Sequence, residues 1–245
     1  MALVDLTAGA VLILAATTAG AFGVLAIRHI GRTFYAILLS SAAGAMAFTS
    51  LEMLVQAHGS GGDMALVAGL LLGLGTIMLV ERLLPHVHRH VRKKELADSK
   101  KKALLITGSI ALHNIPEGFA VATAFASSTP VGWLIATSIA LQDIPEGTLV
   151  SAPLAAYGIG ERRSIFYGIF SGVVEATAAV LGYIFLSSFT ALVPFALAFS
   201  AGAMIYVVFV EILPDAVEGG RERIAALSFI GGVLAAFVIA NVFIF

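Results

Sequence analysis

Eight long apolar stretches constrain this chain more than any other feature of its sequence. They lie at about 5–27, 34–56, 64–84, 103–126, 131–154, 164–187, 190–213 and 224–244, and a bilayer crossing takes roughly 20 helical residues. Little else is left from which to build a wettable surface. Charged residues make up 12% of the chain, about half the share found in soluble domains, and the mean hydropathy is +1.00. Most of the chain must therefore face lipid or other helices. Gly, Ala and Ser recur inside the apolar runs, and small residues there let membrane helices approach closely. The fold class expected is an all-α integral membrane protein with eight transmembrane helices in the lipid bilayer, forming one domain over 1–245.

The basic residues orient it. All 14 Lys and Arg fall on one side of this topology. Arg28 and Arg32 lie between the first two spans, Arg162 and Arg163 between the fifth and sixth, and Arg221 and Arg223 before the eighth. The remainder cluster in or beside a long loop at about 85–102, whose centre reads PHVHRHVRKKELADSKKK. Positive residues stay cytoplasmic, so both termini are expected outside and the long loop inside, across the cell (inner or plasma) membrane. The first residues carry no Lys or Arg, unlike a secretory leader, so the first apolar run reads as a retained span. A net charge of −1 gives no argument for nucleic acid, and no nucleotide-binding motif is present. With no Cys, disulfides and thiolate ligands are both excluded.

Two internal echoes suggest how the spans are related. Ile-Pro-Glu-Gly occurs at 115–118 and again at 144–147, and Ala-Gly-Ala-Met at 43–46 and 201–204. Each pair falls on spans of opposite direction. An inverted 3+2+3 repeat is expected, and in such transporters the site lies at the repeat interface.

Ionisable side chains inside a span cost at least ~2.5 kcal/mol and are functional candidates by default. His113, Asn114 and Glu117 are on the fourth span, Gln142, Asp143 and Glu146 on the fifth, and Glu175 on the sixth. At a rise of ~1.5 Å per residue, His113 lies roughly 15 Å from its end of the fourth span. Gln142, Glu175 and Met46 reach about the same depth, counted from opposite faces. His113 with Glu117, and Gln142 with Glu146, are i,i+4 pairs sharing one helix face. Asn114 with Glu117, and Asp143 with Glu146, are i,i+3 pairs on a rotated face. Each Glu is thus placed to serve two adjacent ligand sets. Pro116 and Pro145 free the carbonyls of Leu112 and Leu141, which suits a cavity wall.

Charge points to the guest. Glu117, Asp143, Glu146 and Glu175 sit at one depth with no Lys or Arg to pair them, and buried charges are paired, protonated or metal-bound. Imidazole, carboxylate, amide and thioether together suit Zn²⁺ foremost, with Cd²⁺, Fe²⁺ and Mn²⁺ also accommodated. Two divalent ions would balance four carboxylates. A proton-translocating carrier also needs mid-membrane acids, and an intramembrane metal-dependent hydrolase would use the metal to activate water. Against the hydrolase, and against any enzyme, there is neither HExxH nor GxSxG.

At these two motifs the chain resembles the ZIP (Zrt/Irt-like) family of divalent-metal transporters. His113-Asn114-Ile115-Pro116-Glu117-Gly118 is similar to its fourth-helix HNxPEG signature and Gln142-Asp143-Ile144-Pro145-Glu146-Gly147 to its fifth-helix one. Gln at the first position of the second motif resembles the bacterial GufA-type branch. The resemblance implies a binuclear centre. One ion would be held by Met46, His113, Glu117, Gln142 and Glu146, the other by Asn114, Glu117, Asp143, Glu146 and Glu175. It also implies metal movement into the cytoplasm, homodimers, and no catalytic cofactor, the metal being cargo. His86, His88 and His90 in the long loop, and Glu211 at the inner end of the seventh span, are the candidates for a cytoplasmic exit site.

Overall fold

The computed structural model describes residues 2–26, 31–83, 99–156 and 158–244. Every regular element among them is helical. Helix α1 is Ala2–Ala21, followed by a 3-10 turn at Phe22–Leu25. Arg32–Leu83 is one helical run apart from Gly62, whose φ of 72° and ψ of 176° leave the helical path. The arms on either side, 32–61 and 63–83, are α2 and α3. A loop is expected from the sequence here; a single left-handed residue suffices because Gly has no Cβ to clash. His58 Nδ1 and Asp63 Oδ1, 3.2 Å apart, bridge the break.

Helix α4 is Ser99–Ser127 and α5 is Thr129–Ala156, each running through its motif proline, Pro116 or Pro145. Helix α6 is Glu161–Ser188. The seventh apolar stretch is not one regular helix as the pattern predicts. After a 3-10 turn at Thr190–Leu192, α7 (Val193–Tyr206) widens into a π turn at Val207–Ile212 before α8 (Leu213–Val217). Pro214 contributes to the change, since it has no N–H to offer the Val210 carbonyl four residues back. Helix α9 is Glu222–Ile244. Five of the described helical runs are long and apolar enough to cross a membrane. Helix α5 is not among them, because Gln142, Asp143 and Glu146 interrupt its apolar character.

Glycines set the packing, and their contacts give the helix directions. Gly9 and Gly20 of α1 and Gly23 of the turn after it face Ala136, Ile144 and Thr148, so α1 and α5 run the same way. Gly118 meets Glu175 and Gly182 meets Ala122, so α4 and α6 also run the same way. Between α1 and α6 the order is reversed: Gly168 meets Ala21 and Gly172 meets Leu14 and Thr17. A Cβ on Gly118 would strike the Glu175 carbonyl, and one on Gly147 the Thr17 carbonyl. Each motif glycine thus seats its helix against the backbone of α6 or α1.

The crossings of α2 with α9 and of α7 with α3 use matching residues. Gly44, in the first Ala-Gly-Ala-Met, packs on the Phe229 carbonyl, and Gly202, in the second, on the Leu70 carbonyl. In return Gly232 packs on the Ser41 carbonyl and Gly73 on the Phe199 carbonyl. The main core runs between these crossings and includes Ile13, Met46, Val121, Ile139, Leu197 and Met204. An apolar crevice of about 450 Å³ opens between α2, α5 and α9 beside Leu141, Ile144 and Pro145.

Candidate metal centre

Helices α4 and α5 bring their motifs face to face. Gln142 Nε2 donates to Glu117 Oε1 at 3.0 Å, tying the two helices at mid-length. Glu117, Asp143 and Glu146 each offer a carboxylate oxygen, all within 4.8 Å of one another. Helix α6 adds Glu175, fully buried and held against Gly118 by the backbone contact described above. The Thr17 hydroxyl of α1 lies 3.5 Å from Glu175 Oε2, and Asn114 Nδ2 donates to the Ser171 carbonyl at 3.5 Å. Four helices therefore close around one acidic cluster.

Burial is deep on one side and shallow on the other. Asn114, Glu117, Gln142, Asp143 and Glu175 are at most 2% exposed. Glu146 is only partly covered. His113 and Glu211 have side chains 21% and 20% exposed, with His113 Nε2 at 3.0 Å from Glu211 Oε2. The sequence places Glu211 at a helix end, apart from the cluster. In the structure the π turn carries it onto His113, so it adjoins the centre. Nothing in the sequence marks that turn except Pro214, and an i→i+5 winding does not follow from a proline alone.

The donor chemistry is unbalanced. Asn114 Oδ1, Glu117 Oε2, Gln142 Oε1, both Asp143 oxygens and Glu175 Oε1 are buried without a hydrogen-bond partner. Buried polar atoms are partnered in the great majority of cases, and a buried carboxylate without a counter-charge is unstable. No Lys or Arg occurs anywhere in 103–156. Six acceptor oxygens converge with nothing to donate to them, and a divalent cation is what such a set can hold. The Gln142 amide is oriented by the same logic, its nitrogen spent on Glu117 and its oxygen left as a ligand.

Met46 is 1% exposed on α2 within the main core. His86, His88 and His90 lie outside the described residues. Thr17 and Ser171 are not among the candidates from sequence. A hydroxyl in mid-helix is ordinarily satisfied by the carbonyl one turn back, so neither stands out by residue type.

The chain is similar to known zinc transporters. The family model described as ZIP Zinc transporter matches residues 87–240. The zinc transporter GufA of Myxococcus xanthus is 37% identical over 191 residues, covering 76% of this chain and 75% of that protein. The zinc transporter ZupT of Corynebacterium aurimucosum is 30% identical over 242 residues, 91% of each. The human zinc transporter ZIP11 is 44% identical over 140 residues, which span 54% of this chain and 41% of that protein.

Proposed function

The chain belongs to the ZIP zinc transporter family, and from that membership we propose that it carries divalent transition metal, zinc foremost, across the inner membrane into the cytoplasm. Cadmium, iron and manganese are the other ions whose chemistry the cage accepts. The family is one of transporters and not of enzymes. The observation that carries the reading is the set of orphaned oxygens on Asn114, Glu117, Gln142, Asp143 and Glu175, gathered at one depth from helices of both directions.

Two ions are assigned to the cage. Met46, His113, Glu117, Gln142 and Glu146 serve the first, and Asn114, Glu117, Asp143, Glu146 and Glu175 the second, with the two glutamates bridging. Four carboxylates against two divalent ions leave no net charge in the membrane interior. Glu211, held on His113, is placed to receive an ion leaving the first position, and His86, His88 and His90 to receive it beyond the membrane.

One domain of eight spans over 1–245, with both termini outside, is the architecture assigned to this function. An inverted repeat relating spans 1–3 to 6–8 and span 4 to span 5 is supported by the matched Gly44–Phe229 and Gly202–Leu70 contacts. The paired Gly147–Thr17 and Gly118–Glu175 contacts support it too, as does the opposed run of α1 and α6. A homodimer is the assembly that the family resemblance favours.

Uptake into proteoliposomes tests the function directly. Purified protein should load vesicles with Zn²⁺ down its gradient, without nucleotide. Vesicles that acidify or alkalise but take up no metal would instead assign the acids to proton translocation.

A further inference from the structure

One buried hydroxyl beside the second donor set has no place in the two motifs. Ser171 lies on α6 one turn before Glu175, and i,i+4 residues share a helix face. It is 1% exposed, and its own carbonyl accepts the Asn114 amide at 3.5 Å, which places it at the edge of the cage. Hydroxyls elsewhere in these helices bond back to the preceding turn, Thr17 to Ile13, Ser138 to Leu134, Ser164 to Gly160 and Thr177 to Val173. Ser171 does not, and its Oγ has no partner at all. Ser40 and Ser200 are orphaned as well; Ser171 is set apart by its bond to Asn114 and its register with Glu175.

The repeat supplies an independent argument. The register that matches Gly44 with Gly202 and Ser41 with Phe199 also matches Thr17 with Glu175 and Ile13 with Ser171. Helix α1 thus carries an alkyl group and a back-bonded hydroxyl where α6 carries a free hydroxyl and a carboxylate. Both departures from symmetry add oxygen on the same helix face.

We infer that Ser171 is an additional donor of the metal cage, supplying a neutral hydroxyl oxygen to the ion held on the Asn114, Asp143 and Glu175 side. This rests on the binuclear reading above. A neutral oxygen adds a ligand without disturbing the balance of four carboxylates against two divalent ions. It also makes that position richer in oxygen than the His113 position, favouring harder ions there.

The chain has no Cys, so Ser171→Cys introduces a lone thiol of nearly the same size. Cd²⁺ titrated into the detergent-purified variant should produce an ultraviolet thiolate-to-cadmium charge-transfer band and block maleimide labelling of the thiol. Ser188→Cys, at the far end of the same helix, should give no band. Ser171→Ala should still fold, while calorimetry shows one of two Cd²⁺ equivalents weakened about tenfold, the scale of losing one supporting ligand. If wild-type protein binds Cd²⁺ but folded Ser171→Cys shows no band and unchanged labelling, or Ser171→Ala binds both equivalents as wild type does, the assignment is wrong. If wild type itself binds no Cd²⁺, the metal reading fails and takes this proposal with it.

Discussion

Single atoms carry most of the functional argument. Glu117 is bonded through Oε1 to Gln142 while Oε2 is buried and unpartnered. In the two-ion scheme it touches both ions. Glu117→Gln should therefore remove zinc uptake while leaving insertion intact, with metal affinity lowered at least about tenfold. Wild-type flux in vesicles from that variant would eliminate the cage as the route. Gln142→His tests the other end of the same bond. Imidazole is a better zinc ligand than an amide oxygen, so zinc should bind more tightly, half-saturate uptake at lower concentration and leave more slowly. Unchanged affinity by calorimetry would exclude position 142 from the first ion's ligands. The motif residues were legible in sequence because their spacing and charge are costly inside lipid. The contact of Glu211 with His113 and the place of Ser171 were not. Glu211 reaches His113 only through a change of helical winding, and Ser171 is distinguished only by the hydrogen bond it fails to make.

Among the elements, apolar length and basic flanks sufficed to find nearly every helix, because a span is defined by what it excludes. One joint was marked and one escaped. Between α2 and α3 the polar run 58–63 signals a break, and Gly62 with φ +72° makes the whole turn. Between α7 and α8 the π turn is apolar but for Glu211, and winding itself leaves no trace in composition. The Gly62 joint makes a stability prediction. Backbone at φ 72°, ψ 176° is open essentially to Gly alone and costs an L-residue about 1–3 kcal/mol, so Gly62→Ala should lower the melting temperature in detergent. Gly231→Ala, on α9 where an added Cβ meets nothing within 4 Å, should hold or raise it, by up to about 1 kcal/mol of helix propensity. Equal melting temperatures for the two variants would mean that the joint can relax out of its left-handed conformation.

For the whole molecule the proposed topology rests on basic residues that the eight-span reading confines to one side, and labelling can check it on a chain without native thiols. Cysteines at Ser60 and Ser188 should react with a membrane-impermeant maleimide from outside the cell, and one at Gly220 only after lysis. Labelling of all three in intact cells would refute the eight-span arrangement. One consequence of the orphaned oxygens reaches beyond transport. A cation that binds the folded bundle and not the unfolded chain raises its stability by RT ln(1 + [M]/Kd), about 2.7 kcal/mol at a hundredfold excess over Kd. The cargo is then also a folding ligand, and each ion that the cage accepts should shift the unfolding curve in proportion to the logarithm of its affinity. A thermal scan across a panel of metal salts would rank the ions this protein prefers before any flux is measured, and chelation should make freshly inserted protein the first casualty of metal starvation.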